Sequence, residues 1–252
     1  CNWTVSSTGN QWNWAALLST GNLVLGAADA LCTTGRLQWS SAAAGDLDLA
    51  GYNQTISGLD VPTVTSGSPA VGNSSTTSDS ILTLSNSVNY TYAGTLVNVL
   101  GAGSRKLSLV KAGTATQTLA GAGTYTGSTT INAGTLLLGN TLAVQNSTVT
   151  VNANAGLGFG LVAAFTIGGL AGTNDFALTS AEGTAVTLSV GNNNAGTTFG
   201  GVMSGIGSLA KIGTARAIAA IGHTIEMGWI GLQEPAAQKL NGHADRVGPG
   251  HR

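Results

Sequence analysis

The stretch TLAGAGTYTGSTTINAGTLLLGN, residues 118–140, is built largely of Gly, Ala and Thr and holds no charged residue. Its content is geometric rather than chemical. Short runs of β-branched and apolar residues, TTI and TLLL, alternate with Gly, Ala-Gly and Gly-Asn punctuation. That is the pattern of short strands joined by tight turns. Leu119, Tyr125, Ile131, Leu136 and Leu138 are the residues expected to face an interior, and the glycines are expected to turn corners through positive φ.

The same vocabulary extends on both sides. NLVLG (22–26), RLQWS (36–40), DLDLAG (46–51) and NQTISGL (53–59) precede it, followed by ILTLSNSVNYTYAGTL (81–96) and KLSLVKAG (106–113). STVTVNANAGLGFG (147–160), FALTS (176–180) and TAVTLSVGNNNAG (184–196) come after it. Strands this short admit a sandwich, a barrel or a solenoid. Internal similarity favours the solenoid. LVKAGTA (109–115) and LAKIGTA (209–215) share five of seven positions, and an aromatic-Gly segment precedes each, YAGTL at 92–96 and FGGVM at 199–203. Stacked rungs of about 20 residues at about 4.8 Å spacing would build roughly ten rungs and a rod on the order of 50 Å.

The segment from LVKAG through NAGTLLLGN resembles the autotransporter-associated β-strand repeat, also called the passenger-associated transport repeat. Leu109, Lys111, Gly113, Leu119, Gly121, Thr124, Tyr125, Thr126, Gly127, Thr129, Ile131, Gly134, Thr135 and Leu136 fall on the family's L-x-K-x-G…L-x-G…T-Y-T-G-x-T-x-I-x-x-G-T-L pattern. Gly123 stands where Asn is usual and Ala115 where Gly is usual. LDLAGYNQTISGL (47–59), TLAVQNSTVTV (141–151) and IGGLAGTNDFALT (167–179) are similar to spacer rungs of large bacterial repeat proteins, so the likeness spans about residues 3–215. The resemblance implies an all-β, right-handed parallel β-helix exposed outside the cell. It also implies export through a C-terminal membrane β-barrel, which would be encoded elsewhere in a longer protein.

Composition narrows the function further. Only 8% of the 252 residues are charged and net charge is −1, so the electrostatic footprint of a nucleic-acid or anionic-lipid binder is missing. No strongly apolar run of about 18 residues predicts a transmembrane helix. The two cysteines are Cys1 and Cys32. A disulfide between them suits a secreted chain, and a lipid on Cys1 suits a bacterial lipoprotein. A fragment beginning at an arbitrary residue accounts for Cys1 equally well.

Constellations for chemistry are sparse. Asp46 and Asp48 stand at i and i+2 on one strand face, the spacing of paired carboxylates in a β-helical lyase or hydrolase, or of a Ca²⁺ site. The alternative is an ordinary strand edge, and no further acidic residue but Asp60 lies near in sequence. All three His, at 223, 243 and 251, lie in the tail. Ser-His catalysis is therefore excluded from residues 1–215, and His223 and Glu226 lack the further ligands a metal needs. GAGSRK (101–106) departs from the phosphate-loop order. GNNNAG (191–196) reads as a turn or Asn ladder. Trp3, Trp12, Trp14 and Trp39 are candidates for a glycan-stacking platform, weighed against packing over the end of the solenoid.

Three regions follow: a Trp-rich cap with the first rungs at 1–58, the solenoid proper at 59–215 with its repeat at 109–140, and an atypical tail at 216–252. The tail breaks off the second repeat copy inside the motif, which favours a frameshifted or misjoined segment over a helical cap. The expected function is non-enzymatic: a cofactor-free stalk or adhesive passenger of a bacterial surface protein, meeting extracellular glycans or a host or neighbouring cell. A β-helical polysaccharide lyase or hydrolase and a glycan-binding module are the competing readings.

Overall fold

The computed structural model describes residues 2–9, 16–18, 20–42 and 44–219. Cys1, Trp12, Trp14, His223, Glu226, His243 and His251 lie outside them, as does the tail beyond residue 219. The described residues form no helix, and every ladder between strands is parallel. Helix-favouring Glu and Lys are scarce, while β-branched residues and turn formers recur at short intervals. The result is a β-solenoid of about nine turns.

Strands lie along three faces of the stack, and not every turn contributes one to each face. The first face stacks Asn2–Val5, Asn22–Leu25, Leu47–Asp48, Ala70–Asn73 and Thr95–Val99. The second stacks Gln54–Ile56, Ser80–Leu84, Leu107–Lys111 and Thr129–Ile131, then continues through Val144–Val151 and Ala164–Gly172. The third stacks Ala16–Leu18, Arg36–Trp39 and Gly58–Asp60, then Tyr90–Tyr92, Thr116–Leu119, Thr135–Leu138 and Leu157–Phe159. The ladder between the two longest strands shifts register between Val144 and Thr148, the irregularity of a β-bulge. The first-face sheet crosses residue 58 without interruption, so the opening rungs and those that follow form one stack.

Turn length is less uniform than a fixed 20-residue rung. Leu109, Thr129 and Val149 are in-register partners 20 residues apart, but Leu82 precedes Leu109 by 27 and Gln54 precedes Leu82 by 28. The extra residues sit in corners, where insertion leaves the ladders undisturbed.

Side chains alternate between inside and outside, as strand geometry requires. Leu107 and Leu109 are buried while Ser108 and Val110 face out. Inside, like residues stack turn upon turn: Ile56, Leu84, Ile131 and Val151 share one column. Leu119, Leu138 and Phe159 share another. Phe159 packs against Phe165 at 5.1 Å and Phe176 at 6.1 Å between ring centroids, and Phe176 against Phe199 at 5.4 Å, extending the core toward the C-terminal turns. On the outside of the second face, Thr55, Thr83, Val110, Thr130 and Thr150 form an uncharged file in unbroken register.

Candidate functional site

Residues 109–138 occupy the central turns. Leu109, Leu119, Tyr125, Ile131, Leu136 and Leu138 are all buried, as their spacing predicts. Lys111 is the unexpected member. It falls on the inward parity of its strand and stands in the column between Leu84 and Ile131, with no exposed surface. Its Nζ donates to the carbonyl of Gly113 in its own corner and to that of Ala133, one turn on, at 3.1 Å. Burial without a counter-charge lowers its pKa from 10.5 to about 8. Lys211, at the matching position of LAKIGTA, likewise folds back, donating to the carbonyls of Ile212 at 2.9 Å and Gly213. The two sequence copies therefore share a local geometry.

Tyr125 begins a buried hydroxyl chain. Its Oη meets Thr129 Oγ1 at 2.5 Å, Thr129 Oγ1 meets Ser147 Oγ at 2.8 Å, and Ser147 Oγ donates to the Gly127 carbonyl at 2.6 Å. The chain ties a corner to the following turn and leaves no buried hydroxyl of the three without a partner, the condition for burying them cheaply. Desolvation pushes the Tyr125 phenol up to about 12, against the bonds from Thr129 and Ser147, which act the other way.

The motif glycines have two distinct reasons. Only Gly134, at φ +62°, needs the left-handed region. At Gly113, Gly121 and Gly127 a Cβ would collide with backbone of the preceding turn, at Asn86, Gly94 and Leu107 respectively. Close approach of rungs, rather than positive φ, accounts for most of them, which corrects the expectation drawn from turn chemistry alone.

The third face contains a break. Gly58–Asp60 and Tyr90–Tyr92 form no ladder; one bridge, Val61 to Tyr92, joins them. Gln117 spans the gap from inside. Its Nε2 donates to the Leu59 carbonyl at 2.9 Å, and Leu59 N donates to its Oε1 at 3.2 Å. A side-chain amide thus stands in for the missing strand. Gln54 does the same for Leu31, accepting from its N at 2.9 Å and donating to its carbonyl at 3.2 Å. Outside the same break, Arg36 pairs with Asp60 at 3.3 Å, bonds Gln38 at 2.9 Å and lies 5.6 Å from the Tyr90 ring centroid. None of these polar contacts was foreseen from the sequence. The available signal was polarity at inward-parity positions, since Gln54, Lys111 and Gln117 alternate with half-buried neighbours as the buried leucines do.

The other candidates resolve into structural parts. Asp46 Oδ1 accepts from Ala70 N at 2.9 Å, and Asp48 Oδ1 accepts from Ala50 N and Ser74 N, both at 2.9 Å. Both carboxylates hold backbone in place between turns. In GNNNAG, Asn192 bonds Asn146 at 3.0 Å, Asn193 bonds Thr148 at 2.9 Å, and Asn194 takes φ +55°. Asn152 and Asn132 at 3.1 Å, and Asn174 and Asn154 at 3.1 Å, add inter-turn rungs of the same kind. In GAGSRK, Ser104 N donates to Ser75, Arg105 to Thr76 and Lys106 N to Asp79, so the loop is a hydrogen-bonded corner. Trp3 is 73% exposed. Trp39 is not available for stacking on a sugar: it is 2% exposed, its Nε1 donates to the Gly45 carbonyl at 2.7 Å, and its ring packs 5.3 Å from that of Tyr92. Inward parity beside Leu37 removes it from the proposed platform. Among the described residues, no three His, Cys, Asp or Glu side chains gather into a metal-holding group. No helix among them is long and apolar enough to cross a membrane.

Comparison with known families places one of them on this framework. Residues 109–138 match the passenger-associated-transport-repeat, spanning the Lys111 corner, the Gln117 strand and Tyr125 and Thr129 of the hydroxyl chain. No curated protein and no solved structure matches the chain. The chain is a parallel β-solenoid that carries a passenger-associated-transport-repeat in its central turns.

Proposed function

We propose that this chain is a non-enzymatic, extracellular segment of a large bacterial surface protein of the autotransporter type, serving as a stalk or adhesive passenger. The observation that carries this reading is the seating of the 109–138 repeat in the parallel stack, whose second-face sheet runs through it without a break. A rod of about nine turns at about 4.8 Å per turn reaches on the order of 40 Å, and the outer file of its second face is uncharged. Such a body is suited to projecting neighbouring segments from a surface. A membrane β-barrel elsewhere in the full-length protein would export it. Glycans or the surface of a host or neighbouring cell are its proposed partners, with Trp3 as the exposed aromatic contact.

Antibody raised against this chain should label intact, unpermeabilised cells that express the full-length protein, and added protease should remove the signal. Labelling only after permeabilisation would overturn the surface assignment. For the enzymatic alternative, a polysaccharide panel should yield no new reducing ends. Release that disappears in Asp48→Asn, with the fold retained by circular dichroism, would restore it.

A further inference from the structure

We infer that Lys111 is a proton-sensitive clamp between two consecutive turns, and that loss of its proton stabilises the solenoid. The geometry supplies two acceptors: the Gly113 carbonyl in the lysine's own corner and the Ala133 carbonyl one turn on. A protonated lysine carries three N–H donors and no acceptor. A neutral amine carries two donors and one lone pair. Two carbonyls therefore satisfy both donors of the neutral amine, whereas the ammonium keeps a third hydrogen and a full charge inside an apolar column between Leu84 and Ile131. The inter-turn bond to Ala133 persists in both states, and the cost of the buried charge outweighs the greater strength of the ammonium's hydrogen bonds.

No charged group offsets that charge. The flanking strands Ser80–Leu84 and Thr129–Ile131 contain none, nor does Thr95–Val99, which packs beside Leu107–Lys111. The corner behind Lys111 presents Asn86, whose side-chain nitrogen donates to Val88 and Thr116. Asp79 and Lys106 adjoin the opposite ends of these strands, where both are exposed. Tyr125, the buried titratable group of the same repeat, has its hydroxyl held by Thr129. Desolvation alone accounts for the lowered affinity of Lys111 for its proton.

The sign follows by linkage. Below about pH 8 the lysine is charged in both folded and unfolded chains, and the penalty is complete. Between about 8 and 10.5 the unfolded chain binds more protons than the folded one, so stability rises with pH. Above 10.5 the penalty is absent. The gain corresponds to a fall in the unfolding constant on the order of 100-fold.

The test is urea unfolding of the 252-residue chain from pH 7 to 10, in the wild type and in Lys111→Met, joined to a ¹³C titration of the lysine Cε resonances. The wild type should gain stability across this range, Lys111→Met should lose that gain, and one lysine resonance should titrate near pH 8. If Lys111→Met does not fold, the resonance titration in the wild type decides alone. Every lysine titrating near its ordinary value, or a wild-type profile that is flat or falling from pH 8 to 10, would overturn the inference.

Discussion

Gln117 and Leu59 lie 58 residues apart in sequence, yet the Gln117 amide exchanges two hydrogen bonds with the Leu59 backbone, at 2.9 and 3.2 Å. The bonds repair the third face where two successive strands fail to form a ladder. Gln117→Leu should keep the buried volume but leave the Leu59 N–H and C=O unpaired, at about 1–3 kcal/mol for each group. Urea unfolding is therefore expected to show a loss of about 2–6 kcal/mol. A loss below about 0.5 kcal/mol would mean that backbone rearrangement closes the gap without the side chain.

The Tyr125 hydroxyl chain makes a second, pH-dependent prediction. A phenol raised to about 12 in the folded chain, from 10.0, keeps its proton longer than the unfolded one does. Its contribution is complete below pH 10 and is lost between about 10 and 12. Tyr125→Phe should cost about 1 kcal/mol at pH 7, because Thr129 keeps Ser147 as a partner. It should also make the alkaline decline shallower. Tyr92, raised by the same kind of burial, would sustain the remaining decline. Chemical denaturation at pH 7, 9 and 11 compares the alkaline slopes of the wild type and Tyr125→Phe.

Glycine substitutions separate close approach from spare room. At Gly113 or Gly127 an added methyl meets backbone that cannot move without disturbing a ladder. Ala at either site should cost about 3 kcal/mol or more. Gly200 has its nearest neighbour at 3.7 Å, and Gly200→Ala should stay within about 0.5 kcal/mol of wild type. Thermal melting of the three variants provides the comparison, and equal effects would contradict the rung-contact explanation.

Much of this architecture was legible in residues 109–140. Leu119, Tyr125, Ile131, Leu136 and Leu138 are interior because strand parity and rung length coincide there. Trp39 was legible in the same way, since it alternates with Gln38 and shares the parity of Leu37, but its aromatic character suggested a sugar platform as well. The role of Gln117 was not legible. It depends on Gly58–Asp60 and Tyr90–Tyr92 forming no ladder, a relation across two turns that local pattern does not encode. Lys111 was assigned to the motif correctly, but its burial was hidden because its acceptors are backbone carbonyls, which every sequence possesses.

The central claim is the in-register parallel stack, and engineered disulfides test it most directly. Thr130 and Thr150 are facing partners on the outer file of the second face. Parallel neighbours about 4.8 Å apart suit a disulfide. Thr148 lies one outward position earlier, placing it about 8 Å from Thr130 by the same spacings, too far to bridge. With Cys1 and Cys32 replaced by Ser, the Thr130→Cys/Thr150→Cys chain should oxidise to an intramolecular disulfide under mild conditions, while Thr130→Cys/Thr148→Cys should remain reduced. The opposite pattern, or no cross-link in either, would contradict the register on which the account rests.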